Sequence, residues 1–417
     1  MKNLQRLCKY SFQLLILSFF LLSDRAGAVL QLELTQGVDK PIPISISDFS
    51  DASTHTSIAA IIRNDLNHCG RFQVTANADN RVIGQVQRID AQHLRISFSL
   101  VNTLQNQPQN LVTQQWMIRT DQQRVLAHRI SDIIYQQFLG LRGYFSTRIA
   151  YVLVNRTVKN TRYALMVADS DGYQPRSLLS SSQPIVSPAW SHDAKWLAYV
   201  SFEKVTPAVY IQALRTGNRQ LVSHYHGING APAWSPDDHY LALALSRDQA
   251  NPKIYVLNLI NQQLKQITSG SGIDTEPSWS PDGRSLLFTS DRAGSPQIYQ
   301  VELDSGIVHR ISFVGPYNAR ASFAPNGQSI VMLHRQENGY TIALQDLSTG
   351  TVHVLTDSGY EQAPSFSPNG CMILYESDQA YHQGGLRTVA TDGRIDLSVP
   401  TLQGDVQDPV WSPFLSP

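Results

Sequence analysis

The chain has 417 residues, 42% of them apolar and 16% charged, the composition of a folded protein long enough for two unequal domains rather than of a disordered one. Its 33 basic and 33 acidic side chains cancel, which excludes the basic footprint of a nucleic-acid-binding protein.

The first 28 residues read as a cleaved secretory signal. Lys2, Arg6 and Lys9 form a basic start, Phe12 to Leu22 an apolar stretch, and Ala26-Gly27-Ala28 the small-x-small site that signal peptidase accepts. The apolar stretch is too short for a spanning helix, which needs roughly 20 residues, and Val29, not a lipid-carrying cysteine, directly follows the cleavage site. Cleavage would leave 29 basic and 32 acidic residues.

Residues 29–143 mix two periods. Leu30, Leu32 and Leu34 alternate, as do Ile42, Ile44 and Ile46, and again Leu94, Ile96, Phe98 and Leu100, the spacing of half-buried strands. Ile58, Ile61, Ile62 and Leu66 follow helical spacing, with Ser53 or Thr54 to cap the start and Gly70 the end. A second helix is expected to open at Thr120 with a Thr120/Gln123 capping box, to bury Leu126, Ile130, Ile133, Ile134 and Phe138, and to stop at Gly140. The expectation is a compact α/β domain.

From residue 144 to 417 the helical period gives way to a repeat. Pro188-Ala189-Trp190-Ser191, Pro232-Ala233-Trp234-Ser235-Pro236-Asp237, Pro277-Ser278-Trp279-Ser280-Pro281-Asp282-Gly283, Ala321-Ser322-Phe323-Ala324-Pro325-Asn326-Gly327, Pro364-Ser365-Phe366-Ser367-Pro368-Asn369-Gly370 and Pro409-Val410-Trp411-Ser412-Pro413 recur at intervals of 44, 45, 44, 43 and 45. Four short strands per unit at this period make a propeller blade. In the third unit the strands are expected at Pro277–Ser280, Leu286–Ser290, Gln297–Leu303 and Val308–Ser312, with Pro-Asp-Gly and Asp-Ser-Gly turns between them. The last motif lacks its outer strands and the region after the α/β domain lacks an inner one. A six-bladed β-propeller whose first blade is closed by the C-terminal strand follows, since closure removes both loose edges.

Catalytic and cofactor chemistry finds little support. No two glycines stand four residues apart, so no GxSxG elbow is present, and the GxGxxG and GxxxxGK phosphate-loop patterns, HExxH and CxxC are absent as well. His224 and His226 lack an identifiable third ligand, and turn chemistry explains Asp237 and Asp282 without a carboxylate pair. The repeating aromatics read as inter-blade packing. Cys69 and Cys371 fall in different domains and read as two isolated buried thiols. No metal, cofactor or catalytic residue is assigned. A hydrolase or lyase with its site in the channel remains the alternative class, and a WD40-type scaffold fits less well because Gly-His and Trp-Asp pairs are missing.

Signal, α/β domain and six Pro-x-Trp-Ser-Pro blades together resemble the TolB family. The resemblance is carried by Thr147-Arg148-Ile149-Ala150-Tyr151-Val152, Asp169-Ser170-Asp171-Gly172-Tyr173, Asn229-Gly230-Ala231-Pro232, Thr275-Glu276-Pro277 and Trp411-Ser412-Pro413. It implies a non-enzymatic periplasmic adaptor of the Tol-Pal system, supporting outer-membrane integrity and envelope constriction at cell division. Its propeller would bind the peptidoglycan-associated lipoprotein Pal, and colicins would exploit the same surface. The implied Pal face, placed in the loops that lead from the outer strand of one blade to the inner strand of the next, is Asn229, Gly230, Ala231, Asp274, Thr275, Glu276, Asn318, Arg320, Glu361 and Gln362. The family often has His before Asn-Gly where this chain has Ile228. The implied TolA-binding segment runs from Val29 to Asp39, with Val29, Leu30, Leu32, Leu34, Gly37 and Asp39. Its alternating leucines equally suit an ordinary first strand.

Overall fold

The computed structural model describes residues 40–49, 57–104, 107–247, 250–379 and 383–415. The expected signal and the Val29–Asp39 segment lie outside them.

The α/β domain comprises β1 (Ile42–Ile46), α1 (Ile58–His68), β2 (Phe72–Val74), β3 (Asn80–Arg88), β4 (His93–Asn102), β5 (Gln109–Arg119) and α2 (Gln123–Leu139). Its sheet has the order β2-β1-β3-β4-β5. The first pairings are parallel and β3-β4-β5 is an antiparallel meander. The alternation reads correctly: Leu94, Ile96, Phe98 and Leu100 are buried and join Ile62, Leu66, Ile130 and Ile134 from the helices in one core. Each such side chain contributes about 1.5–3 kcal/mol relative to exposure.

The helix ends differ in detail. Ser57, not Ser53 or Thr54, caps α1, accepting from the Ala60 N–H at 3.2 Å. At α2 a single 3₁₀ turn, Thr120–Gln122, comes first, and the Arg119 N–H donates to Gln122 Oε1 at 2.9 Å. Gln123, expected to face the Thr120 side chain, donates instead to the Thr120 carbonyl. Gly140 ends α2 in the left-handed region, as its lack of a Cβ allows.

Six four-stranded antiparallel blades follow. Blade I takes its inner strand, Asp405–Trp411, from the C-terminus and pairs it with Arg148–Arg156, so both chain ends of the ring lie in one sheet. The inner strands of blades II to VI are Ile185–Trp190, Asn229–Trp234, Asp274–Trp279, Asn318–Phe323 and Glu361–Phe366.

The repeated motif does two physical jobs. Three of its Trp side chains staple a blade to the one before: the indole N–H donates from Trp190 to the Val410 carbonyl, from Trp234 to Ala189 and from Trp279 to Ala233, while Trp411 donates to Thr147 Oγ1 beside the second strand of its own blade. The following Ser and Asp or Asn close the turn, as where Ser280 Oγ donates to Asp282 and accepts from the Ser285 N–H. A tryptophan that packs apolar surface and also satisfies a carbonyl explains the period better than a sugar-stacking ladder.

The α/β domain sits on the turn end of blades I and VI. Arg71 pairs with Asp392 at 2.8 Å, and Asn369 donates to the Arg142 carbonyl. Tyr144 stands edge-on to Trp411 with ring centroids 5.3 Å apart, continuing the α/β core into the propeller. Cys69 and Cys371 are both free. Cys371 is half-buried rather than buried.

Candidate protein interface at the channel mouth

Every inner strand breaks its ladder at the same place. Three residues before the aromatic, Ser187, Ala231, Glu276, Arg320, Ala363 and Asp408 adopt φ between 47° and 54°. Pairing with the next strand shifts register there in all six blades. Such a bulge leaves a backbone N–H without a ladder partner. Acidic side chains supply three partners: Asp408 Oδ2 accepts from the Ser187 N–H at 2.9 Å, Glu276 Oε2 from Arg320 at 3.0 Å, and Glu376 Oε2 from Asp408 at 3.2 Å.

The bulge also aims side chains into the channel. Arg320 Nε lies 3.0 Å from Glu276 Oε1 and its Nη1 2.7 Å from Asp408 Oδ1. Beyond this clamp, at the end away from the α/β domain, opens a cavity of about 630 Å³ lined by Arg156, Arg320, Glu376, Asp378, Asp405 and Asp408. Burial, then the neighbouring Asp408, pushes the Glu376 carboxyl up to about 7. Four acids face two arginines, so the mouth favours a partner that brings positive charge or hydrogen-bond donors.

The residues implied by resemblance meet around this mouth but divide into two kinds. All ten belong to the inner strands and none to the preceding loops, because the strands start about three residues earlier than the repeat suggests. Asn229, Asp274, Asn318 and Glu361 are buried and bonded inward. Asn229 accepts from Ser223 Oγ and the Tyr225 N–H, Asp274 from Ser290 Oγ and Arg292, Asn318 from His334 while donating to Gln297, and Glu361 from the Gly359 N–H. These four pin the loops and are not available to a partner. Gly230, Ala231, Thr275, Glu276 and Arg320 are half-buried and Gln362 is exposed, so these six have surface to offer.

Sequence reasoning missed the outer rim. Ile228, Ile273, Phe313, Tyr360 and Leu402 are exposed apolar side chains in the loops entering successive inner strands. Three of them directly precede a buried Asn, Asp or Glu, a repeated apolar-then-polar pair that could have identified them.

Elsewhere, His224 and His226 are exposed and His224 bonds Thr206 Oγ1. Asp65, His128 and Asp171 each bring an atom within 4.8 Å of the others at the domain junction. Arg124 already holds the Asp171 oxygen nearest the imidazole, so the group is an ion-pair network. Sequence reasoning passed over it, although Asp65 between Ile62 and Leu66, and His128, Ser131 and Asp132 along the inward side of α2, are polar residues on apolar faces.

These features define a two-domain β-propeller protein with an α/β domain on one end of the ring and an open, charge-lined mouth at the other. Residues 135–415 match the TolB beta propeller domain and residues 30–81 the TolB amino-terminal domain. The chain is 45% identical to the Tol-Pal system protein TolB of Legionella pneumophila strain Corby, over 97% of this chain and 100% of that protein. It is 44% identical to that of Coxiella burnetii, over 96% and 98%. The crystal structure of TolB from Acinetobacter baumannii superposes with a TM-score of 0.83 at 38% identity, covering 90% of this chain and 98% of that one. The chain belongs to the TolB family, and with it to the Tol-Pal system. Among the described residues no helix is long and apolar enough to cross a membrane.

Proposed function

We propose that this protein is a periplasmic, non-catalytic adaptor that binds the peptidoglycan-associated lipoprotein Pal at the channel mouth and TolA through Val29–Asp39. Family membership supports the choice of system. The observation that carries the reading is the mouth itself: an exposed apolar rim around a polar, charged cavity, at the end of the ring the α/β domain leaves open. Apolar anchors around a polar centre suit protein recognition.

The same geometry argues against the hydrolase or lyase alternative. Glu276, Glu376 and Asp408 receive the N–H groups freed by the bulges, and Glu276 and Asp408 also clamp Arg320. Carboxylates committed in this way are held against the backbone and are not positioned as an acid/base pair.

Two titrations test the proposal. The secreted protein should bind the soluble domain of Pal, and deletion of Val29 to Thr35 should abolish binding of the TolA C-terminal domain while Pal binding stays measurable. Intact TolA binding after the deletion would make that segment an ordinary strand, and absence of Pal binding by the full protein would overturn the adaptor reading.

A further inference from the structure

Where the α/β domain packs on blade I, three ionisable side chains meet that the mouth does not use. Asp65 on α1 and His128 on α2 have side chains 2% and 3% exposed. Asp171 belongs to the turn after the blade I strand Thr161–Asp169. His128 Nδ1 lies 2.9 Å from Asp65 Oδ2, which also accepts from Ser131 Oγ at 2.6 Å. That pairing orients the ring and directs Nε2 toward Asp171 Oδ2, 3.9 Å away, where Nε2 has no hydrogen-bond partner.

Other charged groups surround the ring. Arg124 pairs with Asp171 and, at 2.9 Å, with Asp169, under the Tyr173 ring. Asp132, one turn along α2, accepts from the Phe145 N–H at 2.8 Å. A cavity of about 190 Å³ lined by Asp65, His68, Ser170 and Asp171 opens beside the cluster and gives protons a route to it. With a neutral imidazole, the carboxyl groups of Asp65, Asp169 and Asp171 face one guanidinium, and burial pushes the Asp65 carboxyl above its ordinary range although His128 and Ser131 draw it down. Buried uncompensated charge of this kind is costly. A second proton on the ring would supply the missing cation and give Nε2 a hydrogen to donate across the domain boundary.

We infer that Asp65, His128 and Asp171 form a proton-operated latch between the two domains: the imidazolium ties Asp65 of the α/β domain to Asp171 of the propeller, and its deprotonation loosens the joint. Closing the Nε2–Asp171 gap to hydrogen-bond length requires a shift of about 1 Å. Burial works against the charged ring, and Asp65 and Asp171 more than offset it despite Arg124, so His128 is raised above the ordinary 6.5. A group raised on folding contributes stability in full below its unfolded value, and that contribution is lost as pH rises through the folded one. The window for the latch therefore begins near neutrality and extends upward. Asp132, pushed up to about 6 by burial, acts in the same direction but at lower pH, so the two are separable.

The test is a double-mutant cycle in the full secreted protein, with His128→Gln and Asp171→Asn, unfolded in the presence of EDTA at pH 5.5 and at a higher pH where nitrogen NMR shows the wild-type ring neutral. The latch predicts a coupling factor of about five to ten in the unfolding equilibrium at pH 5.5 and under about twofold at the higher pH. Equal coupling at both pH values would overturn it. If a variant does not fold, nitrogen NMR of the wild-type His128 ring gives the same decision: a doubly protonated ring at pH 5.5 supports the latch, and a ring neutral at that pH removes it. Stabilisation by added zinc that disappears in His128→Gln would reassign the cluster to a metal and also overturn the proposal.

Discussion

Arg320 of blade V reaches Asp408 of blade I across the channel, guanidinium to carboxylate at 2.7 Å, while its own backbone N–H and Nε are both held by Glu276 of blade IV. One side chain thus ties together three inner strands that are not all neighbours. Arg320→Ala should destabilise the ring by about 1–3 kcal/mol, the partly exposed side chain keeping the loss below that of a fully buried pair. Urea unfolding measures it. A change below about 0.5 kcal/mol would mean that solvent already screens the clamp.

Trp411 closes the ring where the chain ends meet. It donates to Thr147 Oγ1 at 2.8 Å and stacks edge-on with Tyr144. Trp411→Ala should cost about 3–5 kcal/mol and more than Trp279→Ala, whose indole is only half-buried. Equal losses in calorimetry would show that closure of blade I carries no special weight.

The left-handed bulge sets a rule for substitution. Ala231 has φ 47°, a region in which a β-branched side chain is strained. Ala231→Val should destabilise by about 1–2 kcal/mol, while Ala231→Gly should be neutral or slightly stabilising. Thermal melts that rank Val above Gly would show that the strand adopts ordinary extended geometry there.

Glu376 titrates near neutrality because it is buried beside Asp408. Its folded value is raised from 4.5 to about 7, so the folded state holds the extra proton and stability falls as pH rises from 4.5 through 7. Glu376→Gln keeps an acceptor for the Asp408 N–H and should remove most of this decline, worth on the order of 3 kcal/mol at most. A melting-temperature profile unchanged by the substitution would place the decline elsewhere.

Much of the fold was legible because its physics is periodic. The alternation at Leu94 to Leu100 and the spacing of Ile58, Ile62 and Leu66 report burial directly, and the 43–45 residue recurrence of Trp or Phe reports blade stacking. The mouth was legible only in part. A contact residue and a loop-pinning residue look alike in sequence, so Thr275 and Asp274 were read together although one has surface to offer and the other is buried. The bulge was hidden because register depends on the partner strand. The Asp65–His128–Asp171 cluster was hidden because its members are 63 and 43 residues apart and meet only after the domains pack.

The most direct test of the account is calorimetric titration of the soluble domain of Pal into the wild type, Tyr360→Asp, Thr275→Lys and Asp304→Lys. Asp304 lies in an exposed turn at the opposite end of the ring, and unlike Asp282 it is not bonded to a motif serine, so its substitution is the cleaner control. With folding of each variant verified by its melting curve, the two mouth substitutions should weaken binding by about tenfold or more and Asp304→Lys by less than about twofold. Loss of binding in Asp304→Lys with wild-type affinity in Tyr360→Asp and Thr275→Lys would place the interface at the other end and contradict the account.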